Sequence, residues 1–396
     1  MTDIKKESLA LHKKHKGKIE VISKVPVKTK EDLSLAYSPG VAEPCLEIEK
    51  DPIKAYDYTS KGNMVAIITD GSAVLGLGNI GSLPSLPVME GKAILLKEFA
   101  GVDAFPICLD TQDADEIIET IIRIAPSFGG INLEDISAPK CVKIERALQE
   151  KLNIPVFHDD QHGTAIVTLA ALMNSCKLTG KTLEDLTVVL SGTGAAGSSI
   201  ARMLKGAGVK TIYGYNSKGI VSMDKYNDYD FLLKELIDEA ILTPKNNLTD
   251  DSLAALMKGT DVLVGVSIGN LVSEDMVKSM NKNPIIFAMA NPTPEIMPDV
   301  AKKAGAYIVG TGRSDFPNQI NNVLAFPGLF KGALTARAST INEAMKIAAS
   351  KAIASLVSDE ELSVDYVIPS PFDERVVTQV SKAVESITEE LNLKIK

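Results

Sequence analysis

Residues 188–200 read Val-Val-Leu-Ser-Gly-Thr-Gly-Ala-Ala-Gly-Ser-Ser-Ile, an apolar β-branched run followed by the spacing G-x-G-x-x-G and a helical start. This order predicts a strand, a tight turn and a helix, which together form the phosphate-binding turn of a dinucleotide fold. The first glycine permits the turn, the second lets backbone N–H groups approach a pyrophosphate, and the third lets the helix pack closely. We therefore predict cofactor contacts from Gly192, Thr193, Gly194, Ala195, Ala196 and Gly197.

The strand that follows this turn ends at Tyr215-Asn216-Ser217-Lys218. An acidic residue normally stands at that point and binds the ribose 2′-OH of NAD. Asn216 is neutral, so we assign it to the cofactor site without choosing between NAD and NADP. Ser217 and Lys218 could bind a 2′-phosphate or belong to a solvated loop. A plain strand–turn–helix without a nucleotide is the alternative for the whole motif.

Composition restricts the classes of protein to consider. The 396 residues predict two or three domains, and the net charge of −9 argues against a nucleic-acid partner. The lysine-rich start is interpreted as an exposed helix, with no signal-peptide core, and no apolar run is long enough for a membrane. We expect a cytoplasmic protein in which four scattered cysteines are small buried hydrophobes: Cys45, Cys108, Cys141 and Cys176.

Apolar strands alternate with helical patterns along most of the chain, which predicts an α/β fold with parallel sheets. We expect a doubly wound Rossmann-type nucleotide domain plus an α/β substrate domain completed by C-terminal helices. The predicted boundaries are 1–159 for the substrate domain, 160–320 for the nucleotide domain and 321–396 for the returning helices. One long helix is expected over 333–356.

Two acidic pairs, Glu134–Asp135 and Asp159–Asp160, each follow an apolar run, at the predicted carboxyl ends of strands. Carboxylates from two strand ends suit Mg²⁺ or Mn²⁺. The alternative is that each pair caps the next helix. His158 and His162 are four residues apart, but without a third ligand nearby they are interpreted as hydrogen-bonding histidines rather than zinc ligands.

Asparagines mark two further turns. Asn291 follows a predicted strand in Asn-Pro-Thr-Pro, where a polar turn can contact the nicotinamide ribose, and the alternative is a turn chosen for shape. Asn321 and Asn322 lie together and could orient a substrate carboxylate, or only form a turn.

At this point the motifs, taken in order, resemble one family. They are Tyr37-Ser-Pro-Gly-Val-Ala42, Leu75-Gly-Leu-Gly-Asn79, Gly91-Lys92, Glu134-Asp135, Asp159-Asp-Gln-His-Gly-Thr-Ala165, the glycine turn, Asn291-Pro-Thr293, Asn321-Asn-Val323 and Phe326-Pro-Gly328. The chain is similar over nearly its whole length to the short bacterial-type malic enzymes, which are NAD(P)-dependent and decarboxylating.

The resemblance implies a chemistry for these residues. Glu134, Asp135 and Asp160 would hold Mg²⁺ or Mn²⁺, which would chelate L-malate. Lys92 would accept the hydroxyl proton while a hydride passes to NAD or NADP, which requires a depressed lysine pKa. Asp159 would orient Lys92, although its charge opposes that depression.

After loss of CO₂, Tyr37 would protonate the enol to give pyruvate. Substrate or cofactor contacts are implied for Lys92, Asn291, Asn321 and Asn322. The resemblance also implies a homodimer, in which Tyr37 could come from the partner subunit.

One departure concerns the turn over residues 70–73, where larger members of the family carry an arginine that binds a malate carboxylate and this chain has none. Arg313 is the candidate replacement. Two rival functions stay open: an amino-acid dehydrogenase on the same scaffold, which needs no metal, and a non-catalytic NAD-sensing protein.

Overall fold

The computed structural model of the chain describes residues 3–74, 76–247 and 249–395. Leu75, the first residue of the glycine-dense motif, lies outside the described residues. Within these ranges, none of the helices combines the length and the apolar character that a membrane crossing requires.

The N-terminal segment is built from short helices that bury none of their described residues. They are α1 (Ile4–His15), α2 (Lys30–Ala36), α3 (Ala42–Lys50) and α4 (Ala55–Tyr58). The lysine-rich start therefore forms the exposed helix that the sequence predicts. Large apolar side chains of this segment are nevertheless exposed, among them Val21, Ile22, Val25, Val27, Leu33 and Leu35.

The first sheet is parallel and has the strand order β2-β1-β3-β4 among the described residues. Its strands are β1 (Met64–Thr69), β2 (Asp103–Cys108), β3 (Gly130–Leu133) and β4 (Val156–His158), and the helices between and after them are α5 (Ser82–Ala100), α6 (Ala114–Ile124), α7 (Lys140–Lys151) and α8 (Asp159–Thr179). The last residue of β3 lies opposite the last residue of β4, because Leu133 pairs with His158. The residues that follow these two strands therefore emerge side by side.

The second sheet has the order β10-β9-β8-β5-β6-β7. Its strands are β5 (Thr187–Ser191), β6 (Thr211–Asn216), β7 (Gly219–Ile220), β8 (Val262–Gly265), β9 (Ile285–Ala288) and β10 (Ile308–Thr311), and the helices from its first strand onward are α9 (Ala195–Gly206), α10 (Phe231–Asp238), α11 (Leu253–Met257), α12 (Glu274–Lys278) and α13 (Pro298–Lys303). This is the doubly wound order, with a short antiparallel β7 in place of the third parallel strand. The predicted fold class is confirmed.

Three C-terminal helices complete the structure: α14 (Phe326–Thr335), α15 (Glu343–Ser355) and α16 (Arg375–Glu390). Helices α14 and α15 both pack on α16, while α14 also contacts α5 and α15 contacts α8. The C-terminal segment thus packs on α5, the helix that joins β1 to β2, and on α8. One apolar core runs through all of these helices and both sheets.

The single helix predicted over 333–356 is wrong, because the chain breaks between α14 and α15. Arg337 adopts a left-handed conformation (φ 52°) that ends α14. The connecting residues then pair with the C-terminal tail, since Ser339 N–H donates to Leu393 O at 2.8 Å. Asn342 starts α15 by accepting the N–H of Met345 at 3.0 Å. The apolar pattern continues across the break because both helices face the same core.

The cysteines are all free, as expected, but they are not all buried. Cys141 and Cys176 are buried and Cys108 is half-buried, whereas Cys45 is exposed on α3. The expectation of a buried Cys45 is wrong because α3 packs so little of its surface against the chain.

Replacing the N-cap of α15, Asn342→Ala, should lower the free energy of unfolding by about 1 kcal/mol, because Met345 N–H then loses its acceptor. Urea denaturation monitored by circular dichroism measures this change. Lys351→Ala, on the exposed side of the same helix, is the control and should stay within about 0.5 kcal/mol of wild type. Equal stability of the two variants would contradict the capping role.

Candidate active site

The two acidic pairs meet where β3 and β4 end. Carboxylate oxygens of Glu134, Asp135 and Asp160 all lie within 4.8 Å of one another. Asp135 has a left-handed backbone (φ 54°), and its N–H donates to Asp160 Oδ2 at 2.8 Å. The register of the two parallel strands therefore converts separate sequence pairs into one cluster.

The alternative that these pairs cap helices is wrong. Helix α7 begins after Pro139 and α8 after His158, and neither helix has a side-chain N-cap hydrogen bond. Asp159 and Asp160 instead form the first turn of α8.

The cluster fits a divalent cation. Burial raises the pKa of Glu134, and it raises the pKa of Asp160 to about 6. Asn132 Nδ2 holds Glu134 by donating to Oε2 at 2.9 Å. Three adjacent carboxylates, two of them buried and Asp160 half-buried, repel one another, and a hard cation with oxygen ligands removes that repulsion. Glu134, Asp135 and Asp160 are thus the residues that would hold Mg²⁺ or Mn²⁺.

Lys92 joins the two acidic pairs. Its side chain is buried on α5, with Nζ 2.7 Å from Asp159 Oδ2 and 2.9 Å from Glu134 Oε1. Nζ also lies 4.4 Å from the centre of the Phe326 ring, at the start of α14. Burial acts to lower the pKa of Lys92, but Asp159 and Glu134 outweigh it and raise the pKa above its usual range. The protein alone therefore does not produce the depressed pKa that a lysine base requires.

Asp159 is held from two sides. Its Oδ2 accepts from Lys92 and also from Asn322 Nδ2, at 2.5 Å. A Cβ on Gly163, one turn along α8, would lie 2.0 Å from Asp159 Oδ1. Only glycine leaves room for this carboxylate, which explains a residue that the sequence motif contains but does not itself explain.

The glycine turn has the predicted geometry. Gly192 has φ 103°, and a Cβ on Gly197 would lie 1.9 Å from Gly192 O. Asn216 Nδ2 donates to Thr193 Oγ1 at 3.0 Å, which ties the end of β6 to the turn. A cavity of about 470 Å³ opens here, lined by residues from this turn, the end of β6, the loop after β8 and the start of α10 with the two residues before it: Ser191, Gly192, Thr193, Gly194, Tyr215, Asn216, Ser217, Lys218, Tyr229, Asp230, Leu233, Ser267, Ile268 and Leu271. It lies at the switch point between β5 and β8, where dinucleotides bind. Ala195 and Ala196 begin α9 directly behind the turn.

Glu295 connects the loops that follow β8 and β9 at the edge of the second sheet. No sequence pattern predicts this role. The side chain is fully buried, and it accepts the N–H groups of Ser267 at 2.8 Å and Ala290 at 3.0 Å. It therefore fixes the loops after β8 and β9 together. A carboxylate after a proline-rich turn is typical of a surface residue, so the sequence pattern points the wrong way.

Asn291 and Arg313 are brought together next to these loops. A Cβ on Gly312 would lie 3.1 Å from Asn291 Nδ2, and Arg313 Nη1 donates to Pro292 O at 3.4 Å. The Arg313 guanidinium also forms a two-point ion pair with Asp315, at 2.8 and 2.6 Å. Arg313 thus borders the Asn291 turn, while its charge is already paired.

Two predicted site residues, Tyr37 and Asn321, lie outside the acidic cluster. Tyr37 ends α2 with 67% of its surface exposed, and no hydrogen bond joins it to the acidic cluster within the described residues. Asn321 caps a short 3₁₀ helix by accepting Val323 N–H at 2.9 Å. That contact supports the turn-forming alternative for Asn321.

The two histidines differ. His162 bonds to Glu145, Ser199 and Lys346, as a hydrogen-bonding histidine should. His158 is fully buried, and neither ring nitrogen has a hydrogen-bond partner within the described ranges, so that interpretation is wrong for His158. Burial lowers the pKa of His158 to about 4, which keeps its ring neutral.

Comparison with known proteins agrees with this geometry. The sequence profile of the malic enzyme N-terminal domain matches residues 16–149, and that of the malic enzyme NAD binding domain matches residues 161–388. This chain belongs to the malic enzyme family.

Among its relatives, the bifunctional malic/malolactic enzyme of Bacillus subtilis (strain 168) is 58% identical over 96% of this chain and 92% of that protein. The NAD-dependent malic enzyme of Geobacillus stearothermophilus is 55% identical over 93% of this chain and 76% of that protein. The crystal structure of the Pyrococcus horikoshii malic enzyme superposes with a TM-score of 0.93 at 46% identity, over 99% of this chain and 92% of that one.

Asp160→Asn should weaken Mn²⁺ binding by more than about tenfold, because the cluster loses one of three charged ligands. Titration of the free Mn²⁺ signal by electron paramagnetic resonance measures the affinity without any turnover. The control is Asp115→Asn on the exposed face of α6, which should bind Mn²⁺ like wild type. Wild-type affinity in the Asp160 variant would place the metal elsewhere.

Proposed function

We propose that this malic enzyme family member catalyses the oxidative decarboxylation of L-malate to pyruvate and CO₂, reducing NAD or NADP, with Mg²⁺ or Mn²⁺ as its metal. The observation that carries this proposal is the position of Lys92, within 2.9 Å of Glu134 and 2.7 Å of Asp159. A proton acceptor and a divalent-cation cluster therefore share one buried site, in a chain that also carries a dinucleotide cavity. The similarity to named malic enzymes supports the same reaction.

The first step is an oxidation at C2 of malate. The amine of Lys92 would accept the hydroxyl proton, and a nicotinamide cofactor held at the glycine turn would supply the acceptor for the C2 hydride, so that C2 becomes a ketone. Asp159 holds Nζ in position through its 2.7 Å contact. When bound, the divalent cation supplies positive charge that favours the neutral lysine and polarises the substrate oxygens as a Lewis acid.

The second step is loss of CO₂. The C3–C4 bond breaks, CO₂ leaves with C4, and the electron pair stays on C3 and the C2 oxygen as an enolate. Lys92 returns its proton to that oxygen, which gives the enol. The Tyr37 hydroxyl then donates a proton to C3 while the Lys92 amine takes the enol hydroxyl proton back, which gives pyruvate. Burial of the Lys92 site excludes water while this proton transfer proceeds.

Substrate and cofactor contacts are proposed for the asparagines and the glycine turn. Asn291 follows β9 in the loop that Glu295 ties to Ser267 of the cavity lining, and Asn322 reaches the site through Asp159. Asn321 is kept as a proposed substrate contact because its neighbour Asn322 bonds to Asp159. Because Asn216 is neutral and bonded to Thr193, both NAD and NADP are retained as cofactors. The domain boundaries at 159/160 and 320/321 stay predictions.

We also propose a homodimer in which each active site receives Tyr37 from the partner subunit. Tyr37 is exposed on a segment whose helices bury none of their described residues and whose apolar side chains face outward. A second copy of the chain would cover this surface and bring in the missing proton donor. The free cysteines favour a reducing compartment, so the cytoplasm is proposed as its location.

The test is absorbance at 340 nm with L-malate and Mn²⁺, run with NAD and with NADP. Malate-dependent reduction should appear, with pyruvate as the product, and excess EDTA should abolish it because the acidic cluster loses its cation. The ratio of the two rates decides the nucleotide. Reduction that survives EDTA would favour a metal-free dehydrogenase, and nucleotide binding without reduction would favour a sensor.

An active site built from two subunits leads to a separate prediction. Tyr37→Phe and Lys92→Met should each be inactive as homodimers. After subunit exchange, mixed dimers carry one site with both substitutions and one site with neither, so the mixture should recover about a quarter of the wild-type rate. Each variant exchanged with itself is the control. No recovery in demonstrated mixed dimers would place Tyr37 and Lys92 in the same chain's site.

A further inference from the structure

A buried polar cluster lies behind the acidic site, on the far side of the first turn of α8. His162 Nε2 is 2.9 Å from both carboxylate oxygens of Glu145, and its Nδ1 is 2.8 Å from Ser199 Oγ and 3.0 Å from Lys346 Nζ. Glu145 and Lys346 are each only 4% exposed. We refer to these four residues as the His162 cluster.

The His162 cluster joins four helices, three of them consecutive and one from the C-terminal segment. Glu145 belongs to α7, His162 to α8, Ser199 to α9 and Lys346 to α15. Helix α9 begins at the glycine turn, and α15 belongs to the C-terminal segment. The cluster is therefore a direct polar link between the helix behind the nucleotide cavity and the helix that carries Asp159 and Asp160.

Glu145 holds α8 at two points. Its Oε1 accepts the backbone N–H of His158 at 3.0 Å, just before Asp159, and both of its oxygens face the His162 ring, just after Asp160. The short turn with the two aspartates is thus fixed at each end by one carboxylate. A shift of Glu145 would move Asp159 and Asp160 together.

The ammonium of Lys346 determines the direction of the hydrogen bond from His162 to Glu145. An ammonium can only donate, so Lys346 Nζ donates to Nδ1 of His162, which leaves Nε2–H to donate to Glu145. Lys346 Nζ also donates to Glu343 Oε1 at 2.7 Å. Burial opposes ionisation of Glu145, but His162 and Lys346 outweigh it and lower the pKa of Glu145 to about 2. Close polar contacts thus connect all four side chains, and a buried network of this kind resists rearrangement.

We propose that the His162 cluster is a positioning device for the reaction, which holds the Asp159–Asp160 turn in fixed register with the nucleotide-binding helix. Its residues act through Asp159 and Asp160 and touch neither substrate nor cofactor. The inference rests on the proposed function for its effect on turnover, while its effect on metal affinity is independent of that function. Partners one shell behind metal ligands change metal affinity or activity by about 10–100-fold when they are replaced.

The test compares His162→Leu with His162→Gln. Leucine removes the bond to Glu145 and keeps an apolar contact for Phe157, whose ring centre is 5.5 Å from that of His162. Glutamine restores an N–H near the position of Nε2. We expect His162→Leu to weaken Mn²⁺ binding about tenfold and to lower kcat more than it raises the KM for malate, and His162→Gln to recover most of both losses.

Lys346→Met is a second variant, because it removes the charge behind His162 without removing the ring. Its matched control is Lys351→Met, an exposed position on the same helix. Lys346→Met should weaken Mn²⁺ binding, and Lys351→Met should not. Mn²⁺ affinity is measured by electron paramagnetic resonance on the full chain without malate, so an enzyme that fails to oxidise malate still tests the cluster.

Three results would overturn the proposal. The first is wild-type Mn²⁺ affinity in folded His162→Leu and Lys346→Met. The second is a His162→Gln variant as impaired as His162→Leu. The third is loss of folding in both His162→Leu and Lys346→Met, judged by circular dichroism, because the cluster would then serve stability alone.

Discussion

The parallel pairing of β3 with β4 is the constraint on which the site depends. Leu133 lies opposite His158, so the residues after each strand emerge at the same edge of the sheet. A shift of one residue would turn each side chain to the other face and separate the acidic pairs. The left-handed backbone at Asp135 then completes the arrangement, because it lets that residue's N–H meet Asp160. Burial of the acidic pairs costs free energy, yet the pairing of β3 with β4 brings both pairs to the same edge of the sheet.

Lys92 shows how neighbouring negative charges determine the protonation of a buried amine in this site. It lies between two carboxylates and beneath an aromatic ring, so its positive charge is stabilised more strongly than in water. The same carboxylates that position the amine therefore hold its proton, and a cation bound by the acidic cluster would shift the balance toward the neutral amine. The carboxylates thus set the position of the Lys92 amine, and the cation would set its basicity. Lys92 therefore needs both kinds of partner.

Sequence patterns predicted the elements whose periodicity is strong and local. The glycine turn, the parallel strands of both sheets and the two acidic pairs follow from apolar runs and from the residues that end them. The break between α14 and α15 could not be predicted, because both helices share one apolar face and the loop is stabilised by the distant C-terminal tail. Glu295 and the His162 cluster were missed for the same reason. Each depends on a partner in another element of the chain, such as Ser267 for Glu295 and Glu145 for His162, and a buried carboxylate is indistinguishable in sequence from a surface one.

The short strand β7 has a consequence for assembly. It pairs antiparallel with β6 and covers the edge of the nucleotide sheet, while a bridge between Thr311 and Gln319 lies beyond β10 at the opposite edge. Backbone groups at both margins are thus partly occupied, which discourages growth of the sheet by addition of a strand from another molecule. Self-association through side chains, such as the outward-facing Val21 and Ile22, then faces less competition from that kind of aggregation.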